Sequence, residues 1–515
     1  MTQRPVSMNR ERHMDPVQAD LFDDLPDAVP AGGQPSEVCI GGRAARKGRR
    51  LRWVLSQPNG TAIIRFFGYV VAKVLRRVAD EVTFDRASFD SALARVPEGT
   101  LVIIAPTHRS YMDFLLCSYL FFDQPDLGIA IPHIAAAEEF SRIPLLGRLF
   151  EKAQAFFVKR GMRRHDYAEL TTRVTDLVKH KQTLQIFIEG TRSRSGQFMP
   201  PHHGLLKCIQ ETGQAATILP IALSYDRVTE EASFLRELAG SAKPDMRLSS
   251  LSGWATRMLR GKIKVGRIHI ACGAPVKLDE FDRLQNVTEA VMGQLQRRTV
   301  ATTFHLRSFL EHHPIEGVDL DWLCDAIRAR GGRVLPSAFH AAQPVTPLLE
   351  RCMRYHWMHV FYAEVRAAFP DNPAIQHHIA RNGFLQTPTV VTQPLHHNPQ
   401  LDRLVSELFG PICRDYAIVA DRLGAPGNFG DPISSTPLAI LRENPNCFLP
   451  DLEGAFDALL RSRILSHGDE RGTWRWGKRA EEIHEFKHKC SLSVQPRTGQ
   501  GSSKKTEILE EKVSE

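Results

Sequence analysis

Between about residues 100 and 275, apolar, β-rich runs alternate with helical patterns. The runs are LVIIA (101–105), LGIAIPHIA (127–135), TLQIFI (183–188), ATILPIALS (216–224), KIKV (262–265) and RIHIAC (267–272). Between two of them, Tyr167, Leu170, Val174, Leu177 and Val178 fall at helical spacing. Strands alternating with helices predict an α/β domain with a largely parallel sheet.

The flanks read differently. Residues 1–50 are rich in Pro, Gly and Asp, lack periodicity and turn basic toward their end in GGRAARKGRRLR (41–52). We expect them to be disordered. A helical region follows over 51–99. Within it Ile63, Ile64, Phe67, Val70, Val71, Val74, Leu75 and Val78 share one helical arc, and Arg65, Lys73, Arg76 and Arg77 the other. That pattern fits a helix packed on the domain and equally a helix lying on an anionic lipid surface. Beyond 300 the strand signal fades into long helical segments separated by Pro and Gly, so an all-helical C-terminal domain is expected over 300–485. The tail 490–515 is polar and expected to be disordered.

Composition narrows the class of function. The net charge of +8 favours an anionic partner. No apolar run reaches the length of a membrane span, and the first residues lack a secretory h-region. Nine scattered cysteines without a CxxC pair point to a reducing compartment and away from a zinc module. The paired histidines, such as His202–His203, are read as surface or capping residues, since adjacent side chains diverge. No nucleic-acid-binding motif accompanies the charge.

Two polar clusters follow two of the strands. LVIIA runs into PTHRSYMD, with His108 and Asp113; TLQIFI runs into EGTRSRSG, with Glu189, Gly190, Thr191, Arg192 and Arg194. In open α/β sheets ligands bind beyond the carboxyl ends of strands, which places both clusters at one cleft. A neutral imidazole accepts a hydroxyl proton, and a carboxylate fixes its tautomer. Ser110-x-x-Asp113 also fits a helix start, so the segment alone supports both readings. Paired arginines suit phosphate, and Gly190 allows close backbone approach. QAFFVKRGMRRHD (154–166) adds Lys159, Arg160, Arg163 and Arg164. Neither a GxSxG elbow nor a P-loop is present, so a covalent serine mechanism lacks support.

Four blocks in order resemble the motifs of the glycerolipid acyltransferase superfamily: HRSYMD, AFFVKR, FIEGTRSRSG and LPIALSYD. The resemblance spans about 100–280 and is nearest to the glycerol-3-phosphate and dihydroxyacetone-phosphate acyltransferases. It implies a glycerolipid-acyltransferase-like αβ catalytic domain over 100–290. Its expected activity is acyl transfer from acyl-CoA to the primary hydroxyl of glycerol 3-phosphate or dihydroxyacetone phosphate, a first step of phospholipid or ether-lipid synthesis.

By the same resemblance His108 is the general base and Asp113 its orienting acid. Glu189, Gly190, Thr191 and Arg192 contact the acceptor, with Arg160, Lys159 and Arg194 near its phosphate. Pro220 shapes the acyl side, and backbone amides near Ser110 are candidate oxyanion donors. No metal or resident cofactor is implied. The chain is expected at a membrane surface, peripherally, on its reducing side: the plasma membrane for a bacterial protein, an organelle membrane for a eukaryotic one.

Two positions depart from the pattern. Gln154 stands where the family usually has glycine, and Lys159 where it has arginine. They motivate the alternative of a catalytically weak or inactive member that docks on membranes. Tyr111 after HRS resembles the dihydroxyacetone-phosphate branch.

Overall fold

The computed structural model describes residues 37–43, 61–142, 146–159, 164–238, 248–337, 339, 354, 356–384, 398–426, 432–433, 452–468 and 473–491. Most of the N-terminal region expected to be disordered, and the tail beyond residue 491, lie outside them. The exception is a correction. Glu37–Gly41 form strand β1, which pairs antiparallel with β2 (Ala79–Asp85) and closes that edge of the main sheet. EVCIG alternates too briefly to stand out of a polar segment; only its partner strand reveals it.

Helix α1 (Ala62–Val78) begins at Thr61, whose Oγ1 accepts from the Ile64 amide. It buries Ile64, Gly68, Val71, Leu75 and Val78. Strand β3 (Leu101–Pro106) leads through His108 into α2 (Met112–Asp123). Strands β4 (His133–Ala137), β5 (Ala155–Val158) and β6 (Leu184–Gln185) follow, with α3 (Arg164–Lys179) between β5 and β6. Next come α4 (Gly204–Gln210), β7 (Ala216–Tyr225), α5 (Glu231–Leu238), α6 (Leu248–Leu259), β8 (Gly266–Cys272), β9 (Val276–Leu278) and α7 (Leu284–Arg298).

The sheet order is β1-β2-β8-β7-β3-β6-β4-β5, with β9 also on β7. The pairs from β7 through β3, β6 and β4 to β5 are parallel, as is β2–β8; β8 and β9 run antiparallel to β7. The sheet is therefore mixed and largely parallel. Several predicted strands are shorter than their apolar runs. LGIAIPHIA contributes only from His133, after Pro132 removes a ladder donor. KIKV is an approach to β8, not a strand.

Every residue of β7 is buried, as a central strand covered on both faces requires. Leu101, Ile103 and Ala105 of β3 enter one hydrophobic core with α3, α4 and α7. Ile104 enters the other, with α1, α2, β2 and β8. This is the period-two alternation of a strand.

A third core fills the C-terminal region. It gathers Trp357, Phe361 and Tyr416 among helices α8 (Tyr362–Ala368), α9 (Pro373–Asn382), α10 (Pro399–Leu423), α11 (Leu452–Arg461) and α12 (Ile483–Ser491). The region is not purely helical. A parallel pair, β10 (Val300–Thr302) with β11 (Arg333–Leu335), and a small three-stranded sheet including Leu465–His467 and Trp474–Trp476 interrupt the helices. Asp226, just after β7, fastens this region to the main sheet by accepting from Thr302 Oγ1 at 2.6 Å and the Arg267 amide at 2.7 Å.

Candidate active site

The turn between β3 and α2 is built around one carboxylate. Asp113 is fully buried, and its Oδ2 accepts from the amides of Arg109 at 2.6 Å and Ser110 at 2.8 Å. The same oxygen lies 3.3 Å from His108 Nδ1. Tyr225, at the end of β7, donates its hydroxyl to Oδ1. One carboxylate thus both receives the amides that start the helix and faces the imidazole. Ser110 Oγ in turn accepts from the Met112 amide at 3.1 Å.

His108 is further held from its flat side. Phe187 stacks on the imidazole with centroids 4.0 Å apart and planes 23° from parallel. Nδ1 is turned to Asp113, and His108 also lines the cavity described below. The buried Tyr225 phenol resists ionisation, first because of burial and then because of Asp113, so it remains a donor.

Glu189 is placed behind this arrangement. Its side chain is fully buried; it accepts from the His108 amide at 3.0 Å and the Met199 amide at 2.9 Å, and pairs with Arg109 Nη1 at 2.8 Å. Expected as an acceptor contact, it instead braces the backbone of His108. Gly190 follows with φ of +63°, and a Cβ there would stand 2.5 Å from His202 Cδ2. That close approach explains why the position is glycine.

A cavity of about 660 Å³ opens at His108. Tyr111, Lys159, Gly190, Thr191, Arg192 and Arg194 also line it. The rest of its wall is mostly apolar and comes from α1, α2, β4 and α4, including Phe67, Val71, Phe114, Ile134 and Leu206. An imidazole, cations and an apolar wall therefore share one space. Pro220 is not part of that wall. It lies within β7 opposite Ala105, and its carbonyl accepts from the Gly273 amide at 2.8 Å. Its missing N–H faces that same side, where β7 passes from its pairing with β9 to its pairing with β8.

The cations are not equivalent. The Arg192 guanidinium lies 3.5 Å from the centre of the Tyr111 ring and 3.9 Å from Glu230 Oε1. Arg194 pairs with Glu237 at 2.6 Å, and the half-exposed Lys159 with Asp166 at 2.7 Å. Arg160 and Arg163 lie outside the described residues, as does the side chain of Arg164. Gln154 adopts φ of +69°, the region glycine occupies freely, so the turn is kept although the usual glycine is not.

Glu230 was not legible as a site residue. It is buried, and burial raises its pKa. It accepts from Ser110 Oγ at 2.8 Å and the Tyr111 amide at 2.6 Å, tying the first motif to Arg192. Its only signal was the acidic pair after SYDRVT. Because Asp113, Glu230 and Ser110 Oγ take the Ser110, Tyr111 and Met112 amides, those groups are not available as oxyanion donors.

Residues 90–224 match the family model described as Acyltransferase. The dihydroxyacetone phosphate acyltransferase of Bos taurus is 31% identical over 223 residues, 42% of this chain and 32% of its own length. The glycerol-3-phosphate acyltransferase of Xanthomonas campestris pv. campestris is 28% identical over 244 residues, 46% of this chain and 26% of its own. The chain thus spans about a third or less of the length of these relatives. The solved 1-acyl-sn-glycerophosphate acyltransferase PlsC of Thermotoga maritima covers 44% of this chain and 75% of its own, at 19% identity and a TM-score of 0.27. That overlay is too loose for residue correspondences. The segment 90–224, which carries His108, Asp113 and the Glu189–Arg194 loop, is an acyltransferase-family domain.

Proposed function

We propose that the chain transfers a fatty acyl group from acyl-CoA to the primary hydroxyl of glycerol 3-phosphate or dihydroxyacetone phosphate. The observation that carries this reading is the shared cavity: His108, oriented by Asp113, opens onto the same space as Arg192 and a long apolar wall. The apolar wall suits an acyl chain, and the guanidinium suits a phosphate.

In this reading His108 Nε2 takes the proton of the acceptor hydroxyl as its oxygen attacks the thioester carbon. Asp113 accepts the Nδ1 hydrogen and stabilises the imidazolium. The carbon–sulfur bond breaks, and the proton on Nε2 passes to the departing thiolate. No enzyme-bound acyl intermediate is needed, because both substrates are held together.

The chain works at a lipid surface in this proposal. The apolar stripe of α1 is taken up by the domain, so contact with lipid falls to its other side, where Phe66 is 57% exposed and Lys73 and Arg77 are also exposed. Among the described residues no helix is long and apolar enough to cross a membrane.

Thiol release from palmitoyl-CoA, with each phosphate as acceptor, tests the proposal. Release should require an acceptor and fall by about a thousandfold in His108→Ala with the thermal midpoint retained. Undiminished turnover in that variant sinks the mechanism, and no acceptor-dependent release from the unaltered chain sinks the activity.

A further inference from the structure

A second histidine on the wall of the cavity at His108 has no part in the acyl-transfer chemistry. The pair His202–His203 just precedes α4, and its two side chains part. His203 is engaged inside the protein, with Nε2 3.1 Å from Thr288 Oγ1 on α7. His202 lines the cavity, in a wall that also carries His108, Gly190, Thr191 and Arg192.

His202 is held there by backbone on two sides. Its amide donates to the Ile188 carbonyl at 2.8 Å. One edge of its ring lies on Gly190, so close that a Cβ there would stand 2.5 Å from Cδ2 and 3.2 Å from Nε2. The same turn reaches the candidate base. The Gly190 amide donates to the Phe187 carbonyl at 3.0 Å, and the Phe187 ring stacks on His108. Residues 187–190 thus carry one imidazole on their phenylalanine and the other on their glycine.

His202 is exposed, and its ring has no hydrogen-bond or ion-pair partner among the described residues. The cations of this wall differ in that respect. Lys159 faces Asp166, Arg192 faces Glu230 and Arg194 faces Glu237. Each meets a ligand with its charge already offset by a carboxylate. An imidazole carries one N–H when neutral and two when protonated, and no carboxylate competes for them at His202. A donor fixed in place before a ligand arrives loses little freedom on binding. Both substrates of the proposed reaction carry phosphate, whose charged oxygens accept strong hydrogen bonds.

We propose that His202 is a substrate-binding residue that donates a ring hydrogen to a phosphate oxygen of the acceptor or of CoA. The assignment rests on the acyl-transfer reading for the identity of these two phosphate carriers.

Calorimetric titration of the full chain with glycerol 3-phosphate, dihydroxyacetone phosphate and CoA, each alone and so without turnover, tests it. His202→Phe keeps a ring against Gly190 and removes the donor. His202→Lys brings a cationic donor back. Binding of at least one ligand should weaken about tenfold in His202→Phe, the value of one charge-assisted hydrogen bond, and be regained in His202→Lys. Loss confined to the three-carbon phosphates places His202 at the acceptor; loss confined to CoA places it at the donor. In steady state the KM of the affected substrate should rise by the same factor, with kcat changed less than about twofold. Unchanged binding of all three ligands in His202→Phe, or a loss that His202→Lys does not regain, with the thermal midpoint retained, overturns the proposal. Phosphate binding that depends on His202 without acceptor-dependent thiol release would instead overturn the acyl-transfer reading and leave His202 a phosphate ligand.

Discussion

Tyr225 donates its phenol hydrogen to Asp113 Oδ1, and so leaves Oδ2 to hold the His108 turn from the opposite side. The two residues are 112 positions apart and meet only because β7 lies beside β3. Tyr225→Phe keeps the ring and removes the hydrogen bond. Within the proposed mechanism kcat should fall about tenfold with the acceptor KM unchanged, since the loss falls on the carboxylate that stabilises the imidazolium. Steady-state kinetics decide; a change confined to KM argues against this placement.

Glu230 faces the Arg192 guanidinium and ties it to the Ser110–Tyr111 turn, so within the proposed function it is a positioning residue. Glu230→Gln preserves volume but removes the charge facing the guanidinium 3.9 Å away. The expected outcome is a rise of about tenfold in the KM for the phosphate acceptor, with kcat changed less than about twofold. Equal loss in kcat would place Glu230 in the chemical step instead.

Gln154 holds a left-handed backbone that costs an L residue about 1 kcal/mol. Gln154→Gly relieves that strain and should raise the thermal midpoint by about one degree in a chain of this size. A lowered midpoint would mean that the side chain contributes more packing than the backbone loses.

His359 makes stability depend on acidity. Burial pulls its pKa from 6.5 down to about 4, against the hydrogen bond to Gln296, and the Arg109 charge lowers it further. The folded state therefore keeps the ring neutral while the unfolded chain takes up a proton. This contribution is fully present above about pH 6.5 and is lost as pH falls toward 4, amounting to about 3 kcal/mol. Urea denaturation across that window should show a shallower pH dependence in His359→Gln. Identical slopes in the two proteins rule out His359 as the titrating group; His356, which interacts with it, and His305, whose ring meets that of His356, are also buried with lowered pKa values.

The strands at 101–106 and 216–225 were legible because a central strand must be apolar throughout, whatever its partners. His108 and Asp113 were legible because six consecutive residues, HRSYMD, carry both. The structure brings His108, Asp113, Arg192, Arg194 and Lys159 to one site, while Glu189 and Pro220 serve behind its wall. Nothing in a linear motif separates a residue that lines a cavity from one that supports the residue lining it.

What the sequence determined by itself was therefore local: which segments are apolar enough to be buried strands, which turn carries an imidazole and a carboxylate, and which loop holds the arginines. Only the tertiary structure decided that Tyr225 and Glu230 complete the site, that Glu37–Gly41 is an edge strand, and that the Ser110 and Tyr111 amides are already bonded. Hydrogen bonds such as that from Ser110 to Glu230 span 120 positions, and no short-range period encodes them. They arise when parallel strands bring their carboxyl ends together, and burial then requires every polar group there to find a partner.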